Sequence, residues 1–398
     1  MLAIEILPEK NVIDDGFLDL IGREFTTHEQ GLAEWLKNGM DATLAAGFTS
    51  KSEVIFLRFT DIRATTPPVF ECIDFVGMTL GEIERGFKPW GRLARPGERS
   101  GSYGGYGMGG KFYMRQMFES SHLITYDQGH LNIFGFDTKR RYGYAQGFRN
   151  QPMDPQEALR FAEIESLAEM ADVIDGVVSM GRGFSVFRGL KPKGIGKRIH
   201  VEKLCERLKN HPQTQRPLSS RKVCVIHNGA VAIEWLKPPT IKRKPGFEKP
   251  WVRKIPATLP RIDGKKGEIV RLSGNSESPG TLRLFVSGES LVRSGKMASL
   301  NRIDFNSEDG VVGSYRIDEL DVDVPYGESI FGECMFYKSG GSQEQYAKKT
   351  RDRLVESPET RAILKWVGSQ VGLFSEMIRR RTSISQMNSK GLRGKDPG

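Results

Sequence analysis

The chain has 398 residues, 38% hydrophobic and 27% charged, with a formal net charge of +10. That length allows two domains, no apolar run reaches the roughly 18 residues of a membrane-spanning helix, and four scattered cysteines without a Cys-x-x-Cys pair argue against a disulfide frame or a zinc site. The first ten residues carry acids and no basic stretch, so a signal peptide is not expected; the expected location is cytoplasmic, nucleoid or nuclear, not secreted.

The first informative element is a helix over residues 29–45, where Leu32, Trp35 and Leu36 form an apolar stripe. Glu34, Asn38 and Asp41 stand at i, i+4 and i+7 and share one face. A carboxylate, an amide and a second carboxylate on one face suit metal-assisted phosphate chemistry. Asn38 offers Mg²⁺ a neutral oxygen, and Glu34 can orient or deprotonate a water. The same residues also fit a solvated polar face.

Pro68 to Phe75 has the apolar density of a buried strand, with Asp74 near its C-terminal end. A buried carboxylate needs a partner: a purine amine is one, the amide of a nearby turn another. Gly77 permits close backbone approach and Met78 gives a soft wall. Residues 101–110 then hold six glycines interleaved with Tyr103 and Tyr106, followed by Lys111 and Arg115 at the start of a helix. Such a loop can turn N–H groups onto phosphates, yet it has neither a Walker A spacing nor a βαβ setting. His122–Asp127 and His130–Phe136 read as a hairpin around Gln128-Gly129, residues 151–177 as a helical insertion, and 183–190 as a strand closing the first domain.

These three segments together resemble the GHKL superfamily of gyrase B, 90-kilodalton heat-shock chaperones, histidine kinases and MutL. Glu34-x-x-x-Asn38-x-x-Asp41-Ala42 is similar to its helix motif. Asp74-x-x-Gly77-Met78-Thr79 resembles its adenine-side motif, and Gly104 to Lys111 the glycine loop of the Microrchidia (MORC) and chaperone branches. The likeness is strongest to MORC-like ATPases and covers about residues 25–190. It implies an α+β chain: a Bergerat-type α/β sandwich that hydrolyses ATP with Mg²⁺. By the resemblance, Glu34 is the general base, Asn38 the metal ligand, and Asp41 with Ala42 a support of that site. Asp74, Gly77, Met78 and Thr79 hold the base. Gly104, Gly105, Tyr106, Gly107, Met108, Gly109, Gly110 and Lys111 form a lid over the phosphates. Gly110 departs from the branch, where a larger residue is common. The strand Gly183-Phe-Ser185 corresponds to a later family threonine in no fixed register.

The remainder of the chain is basic. Residues 1–190 hold 20 Lys+Arg against 26 Asp+Glu, and residues 191–398 hold 39 against 23. This asymmetry points to a polyanion, nucleic acid first. Residues 237–266 interleave cations with Phe247 and Trp251, a pattern that suits phosphate attraction and base stacking as well as a solvated loop. Residues 340–364 resemble the end of a gyrase B transducer domain, with Lys348, Lys349 or Arg351 as a cation for the γ-phosphate.

The expected organisation is an ATP-binding domain at 1–190, a basic transducer-like α/β domain at 191–380 and a disordered tail at 381–398. The expected function is an ATPase that dimerises on ATP and clamps or remodels nucleic acid, DNA foremost, with a separate effector subunit possible and no membrane partner. A chaperone-like ATPase acting on a protein client is the alternative.

Overall fold

A computed structural model describes residues 5–8, 18, 26–48, 53–61, 67–90, 109–179, 181–265, 267–272, 277–293, 299–307, 310–337 and 353–393. The chain divides into two compact units, Met1–Pro239 and Thr240–Gly398. Both are α+β.

The first unit is built on a ten-stranded, mostly antiparallel sheet. Its strands are β1 (Ile6–Pro8), β2 (Val54–Thr60), β3 (Val69–Asp74), β4 (Ser120–Asp127), β5 (His130–Phe136), β6 (Tyr142–Ala145), β7 (Gln151–Pro152), β8 (Phe184–Leu190), β9 (Lys222–His227) and β10 (Ala230–Ile233). The order across the sheet is β1-β6-β5-β4-β8-β3-β2-β9-β10, with β7 beside β5. The β4–β5 turn forms because Gln128 and Gly129 both take positive φ, 48° and 80°, as a type I′ turn requires.

Helices cover both faces. On one lie α1 (His28–Ala45), α2 (Gly109–Met117), α6 (Val201–Asn210) and α7 (Gln215–Ser220), packed on Leu57, Phe59, Phe70, Cys72, Leu123 and Phe187. On the other lie α3 (Pro155–Ala162), α4 (Glu165–Met170) and α5 (Ile174–Ser179), packed on Ile73, Ile124, Ile133 and Val186. The helical stretch expected at 151–177 is thus a layer that buries the second face, and β3 is buried at every position. Beneath the α3 end, Glu71 is fully buried between Arg58 and Arg188 (Arg188 Nε to Glu71 Oε1 2.6 Å), and Arg188 Nη2 donates to the Ala162 carbonyl at 3.0 Å. Burial pushes the Glu71 carboxyl up, but Arg188 and Arg58 outweigh it and hold it below the usual range.

α1 is helical because Thr27 caps it, its Oγ1 accepting from the Gln30 N–H at 3.3 Å. Leu32, Trp35, Leu36 and Met40 then bury along the sheet.

The first unit reaches Pro239 rather than residue 190, because β9 pairs in parallel with β2 through Val54↔Lys222 to Phe59↔His227. That shift redistributes the charge. Residues 191–239 hold 11 Lys+Arg against 3 Asp+Glu, and residues 240–398 hold 28 against 20. Half of the basic excess therefore sits in the first unit.

The second unit has a five-stranded sheet of β11 (Trp251–Lys254), β14 (Gly280–Val286), β15 (Arg302–Ser307), β16 (Gly310–Arg316) and β17 (Ile330–Phe336), in the order β11-β14-β17-β15-β16. A separate pair is formed by β12 (Thr258–Pro260) and β13 (Ile269–Arg271). Helix α8 (Pro358–Arg393) covers one sheet face, where Leu282, Leu284, Ile303, Phe305 and Cys334 meet Ile363, Val367, Val371, Phe374 and Ile378. It continues through Arg393, so residues 381–393 are helical where a disordered tail was expected. Phe247 and Trp251 do not stand free for bases. Phe247 belongs to this core, and Trp251 stacks on Phe374 with centroids 5.6 Å apart.

Candidate functional site

The polar face of α1 is the edge of that helix that stays half-buried. Glu34, Asn38, Asp41 and Ala42 are partly open, while Ala33, Trp35, Leu36, Lys37, Gly39 and Met40 are buried. The start of α2 lies directly on this edge. A Cβ added at Gly109 would stand 2.6 Å from the Glu34 carboxyl carbon, and one at Gly110 would stand 2.9 Å from Asn38 Nδ2. A side chain at either glycine would push the Glu34 or Asn38 side chain aside, which accounts for Gly110. The first N–H groups of a helix have no partner within it and carry positive partial charge. Glu34, Asn38 and that helix end therefore form one cradle.

Asp74 lies behind the same helix, on the β3 face that packs on α1, and a Cβ at Gly39 would be 3.3 Å from Asp74 Oδ2. Asp74 is 2% exposed, and its Oδ1 accepts from the Val76 N–H at 3.0 Å. Burial pushes its carboxyl up to about 8, against the opposing pulls of that hydrogen bond and of Arg182.

The turn after Asp74 is anchored by two hydroxyls. Thr125 Oγ1 accepts from the Met78 N–H at 2.8 Å, Ser185 Oγ donates to the Val76 carbonyl at 2.8 Å, and the two hydroxyls are 3.0 Å apart. Ser185 stands directly opposite Asp74 in the β3–β8 register, and Thr125 opposite Ser185 in β4–β8. The pairing thus brings Ser185 and Thr125 to the turn beside Asp74. Thr125 escaped notice because its hydroxyl reaches the turn from a strand 47 residues further along the chain.

Other expected site residues take different parts. Gly77 packs against the next strands: a Cβ there would collide with the Tyr126 carbonyl and come within 2.7 Å of Asp127 Cβ. Thr79 caps the short helical turn Leu80–Glu82, its N–H bonding Glu82 Oε2 at 2.8 Å. Lys111, expected on phosphates, is buried on the inner side of α2. Its ammonium donates to the Pro89 carbonyl and lies 4.9 Å from the Trp90 ring centroid. Gly104, Gly105, Tyr106, Gly107 and Met108 lie outside the described residues, as do Lys348, Lys349 and Arg351.

Among the described residues no cluster of three His, Cys, Asp or Glu side chains is arranged to hold a metal. The donor set at the cradle, one amide beside one carboxylate, fits a hard cation that keeps its waters and takes its remaining oxygens from a phosphate. No helix of the described residues is long and apolar enough to cross a membrane.

No family model and no curated protein matches this sequence. Among solved structures, the chain is similar to the crystal structure of the B-subunit of the DNA gyrase from Myxococcus xanthus, at 13% identity over 92% of this chain and 96% of that one, with a TM-score of 0.38. The site's own geometry therefore carries the functional reading.

Proposed function

We propose that the first unit is a Bergerat-type, Mg²⁺-dependent ATPase of the GHKL class, and that its nucleotide-gated closure and dimerisation clamp or remodel nucleic acid, DNA foremost. The observation that carries this reading is the meeting of Glu34 and Asn38 with the glycine-bearing start of α2. Two segments far apart in sequence supply a base, a metal-binding amide and a phosphate-facing helix end at one place.

In this reading the purine edge meets Asp74 through Oδ2, since Oδ1 is held by Val76. Ser185 and Thr125 fix the turn that walls the ring. Asn38 would hold Mg²⁺ through its amide oxygen, and the ion would neutralise charge on the phosphates. Glu34 orients the water and takes its proton. The N-terminal end of α2 favours the γ-phosphate by the positive end of its helix dipole. A net excess of cations in residues 240–398, 28 against 20, suits a polyanionic client.

The test is ATP turnover by the wild type and Glu34→Gln, with and without DNA, beside ATP binding. Loss of turnover with binding retained, and stimulation by DNA, is the expected result. Turnover that depends on Glu34 but ignores DNA would move the client to protein. ATP binding absent from the wild type would remove the assignment.

A further inference from the structure

We propose that the sheet face of the second unit opposite α8 binds single-stranded nucleic acid, with unpaired bases stacking on the group formed by Phe285, Phe331 and Arg243. The proposal rests on the nucleic-acid part of the function above and not on ATP hydrolysis. It names the surface and the strand state.

Side chains alternate across a strand. Leu282, Leu284 and Val286 face α8, so Arg283 and Phe285 face away from it, as do Phe331 and Glu333 on β17. Among the described residues no helix packs on this second face. Phe285 and Phe331 are directly opposite each other in the β14–β17 register, and their rings stack with centroids 5.4 Å apart at 27°. Both are only partly buried.

Arg243 completes the group. A backbone bridge to Ser287 fixes it at the end of β14, and its guanidinium carbon lies 3.6 Å from the Phe285 centroid and 4.5 Å from that of Phe331. Among the described residues its buried Nη1 has no hydrogen-bond partner. Burial also lowers its proton affinity, against the pull of Glu333. A guanidinium held over two rings with an unfilled donor is a site that lacks its acceptor.

A nucleotide strand supplies both missing parts: a phosphate or base edge for the donor and a flat ring for the stack. Arg283 on the same face is 55% exposed, and Lys254 faces the same way opposite Thr281. In a duplex the bases are already stacked on one another and cannot reach a flat sheet, so the single strand is favoured. An acidic peptide would satisfy Arg243 but draws nothing from the paired rings.

The experiment is fluorescence anisotropy on the full chain without nucleotide, using labelled oligothymidylate, an abasic phosphodiester chain of the same length and a duplex, at physiological salt. Oligothymidylate is expected to bind about tenfold or more tighter than the abasic chain. The Phe285→Leu, Phe331→Leu double variant should lose that preference while still binding the abasic chain. Arg243→Gln, which keeps both rings, should weaken oligothymidylate severalfold and serves if the double variant fails to melt as a folded protein. Equal binding of the two oligomers by the wild type, or an unchanged preference in Arg243→Gln, overturns the proposal. So does displacement of oligothymidylate by polyglutamate at equal charge, which would assign the face to an acidic protein. DNA binding that ignores these residues would sink this face and leave the clamp standing. Ring-dependent binding with no ATP turnover would do the reverse.

Discussion

Replacing Asp74 by asparagine should stabilise the protein without ligand and impair ATP binding. Asp74 is 2% exposed and its carboxyl is pushed up to about 8 by burial, whereas an unfolded chain ionises it near 3.8. Between those values the folded state holds a proton that the unfolded state has lost. Stability is therefore fully present below about pH 4 and falls as pH rises through the window to about 8. At about 1.4 kcal/mol per pH unit, the loss by pH 7 reaches about 4 kcal/mol as an upper bound. The substituted amide would still accept from the Val76 N–H and does not ionise. Urea denaturation of both proteins, read on the first unit's transition between pH 5 and 7, should show the gap widening by up to about 3 kcal/mol in favour of Asp74→Asn. Parallel stability profiles would refute the argument, because Asp74 would then be ionised in the folded state. Weaker ATP binding by the more stable variant would mark Asp74 as a group kept for the ligand at the expense of the fold.

Gly109→Ala should lower ATP turnover at least tenfold while changing stability by less than about 1 kcal/mol, since the atoms it meets are the movable end of Glu34; turnover and urea melts on the same sample check both halves. Gly77→Ala meets the Tyr126 backbone instead, and should destabilise the first unit by about 3 kcal/mol or more, seen as a lowered melting temperature. Glu71→Gln removes the carboxylate between two buried guanidiniums and should cost about 3–5 kcal/mol at neutral pH, measured by denaturation. That loss should shrink as acid titrates Glu71, because its depressed folded value means its stabilisation is present above the unfolded value and vanishes as pH falls through the folded one.

Local features of this chain were readable from its residues. The stripe of Leu32, Trp35 and Leu36 gave α1, the apolar run to Phe75 gave β3, and Gln128-Gly129 gave the β4–β5 turn. Tertiary pairings were not. Lys222 to His227 falls within the second domain expected at 191–380, and only its parallel partner β2 assigns it to the first unit. Lys111 and Trp251 carry chemistry suited to a ligand, and the neighbours they meet, Pro89 with Trp90 and Phe374, come from other parts of the fold. Conversely, Ser185 with Thr125, and Phe285 with Phe331, acquire meaning from strand register, which puts residues from distant stretches side by side.

The β2–β9 pairing also governs how this protein emerges during synthesis. β2 is made early but lacks one neighbour until residues 222–227 have appeared. Until then one margin of the sheet is open and prone to pair with other chains. Closing so long a loop is slow by topology alone. The first unit therefore completes only once Pro239 has been made. A chain stopped at residue 190 would display the unpaired edge of β2 to solvent, and its characteristic failure would be aggregation before any loss of catalysis could be measured.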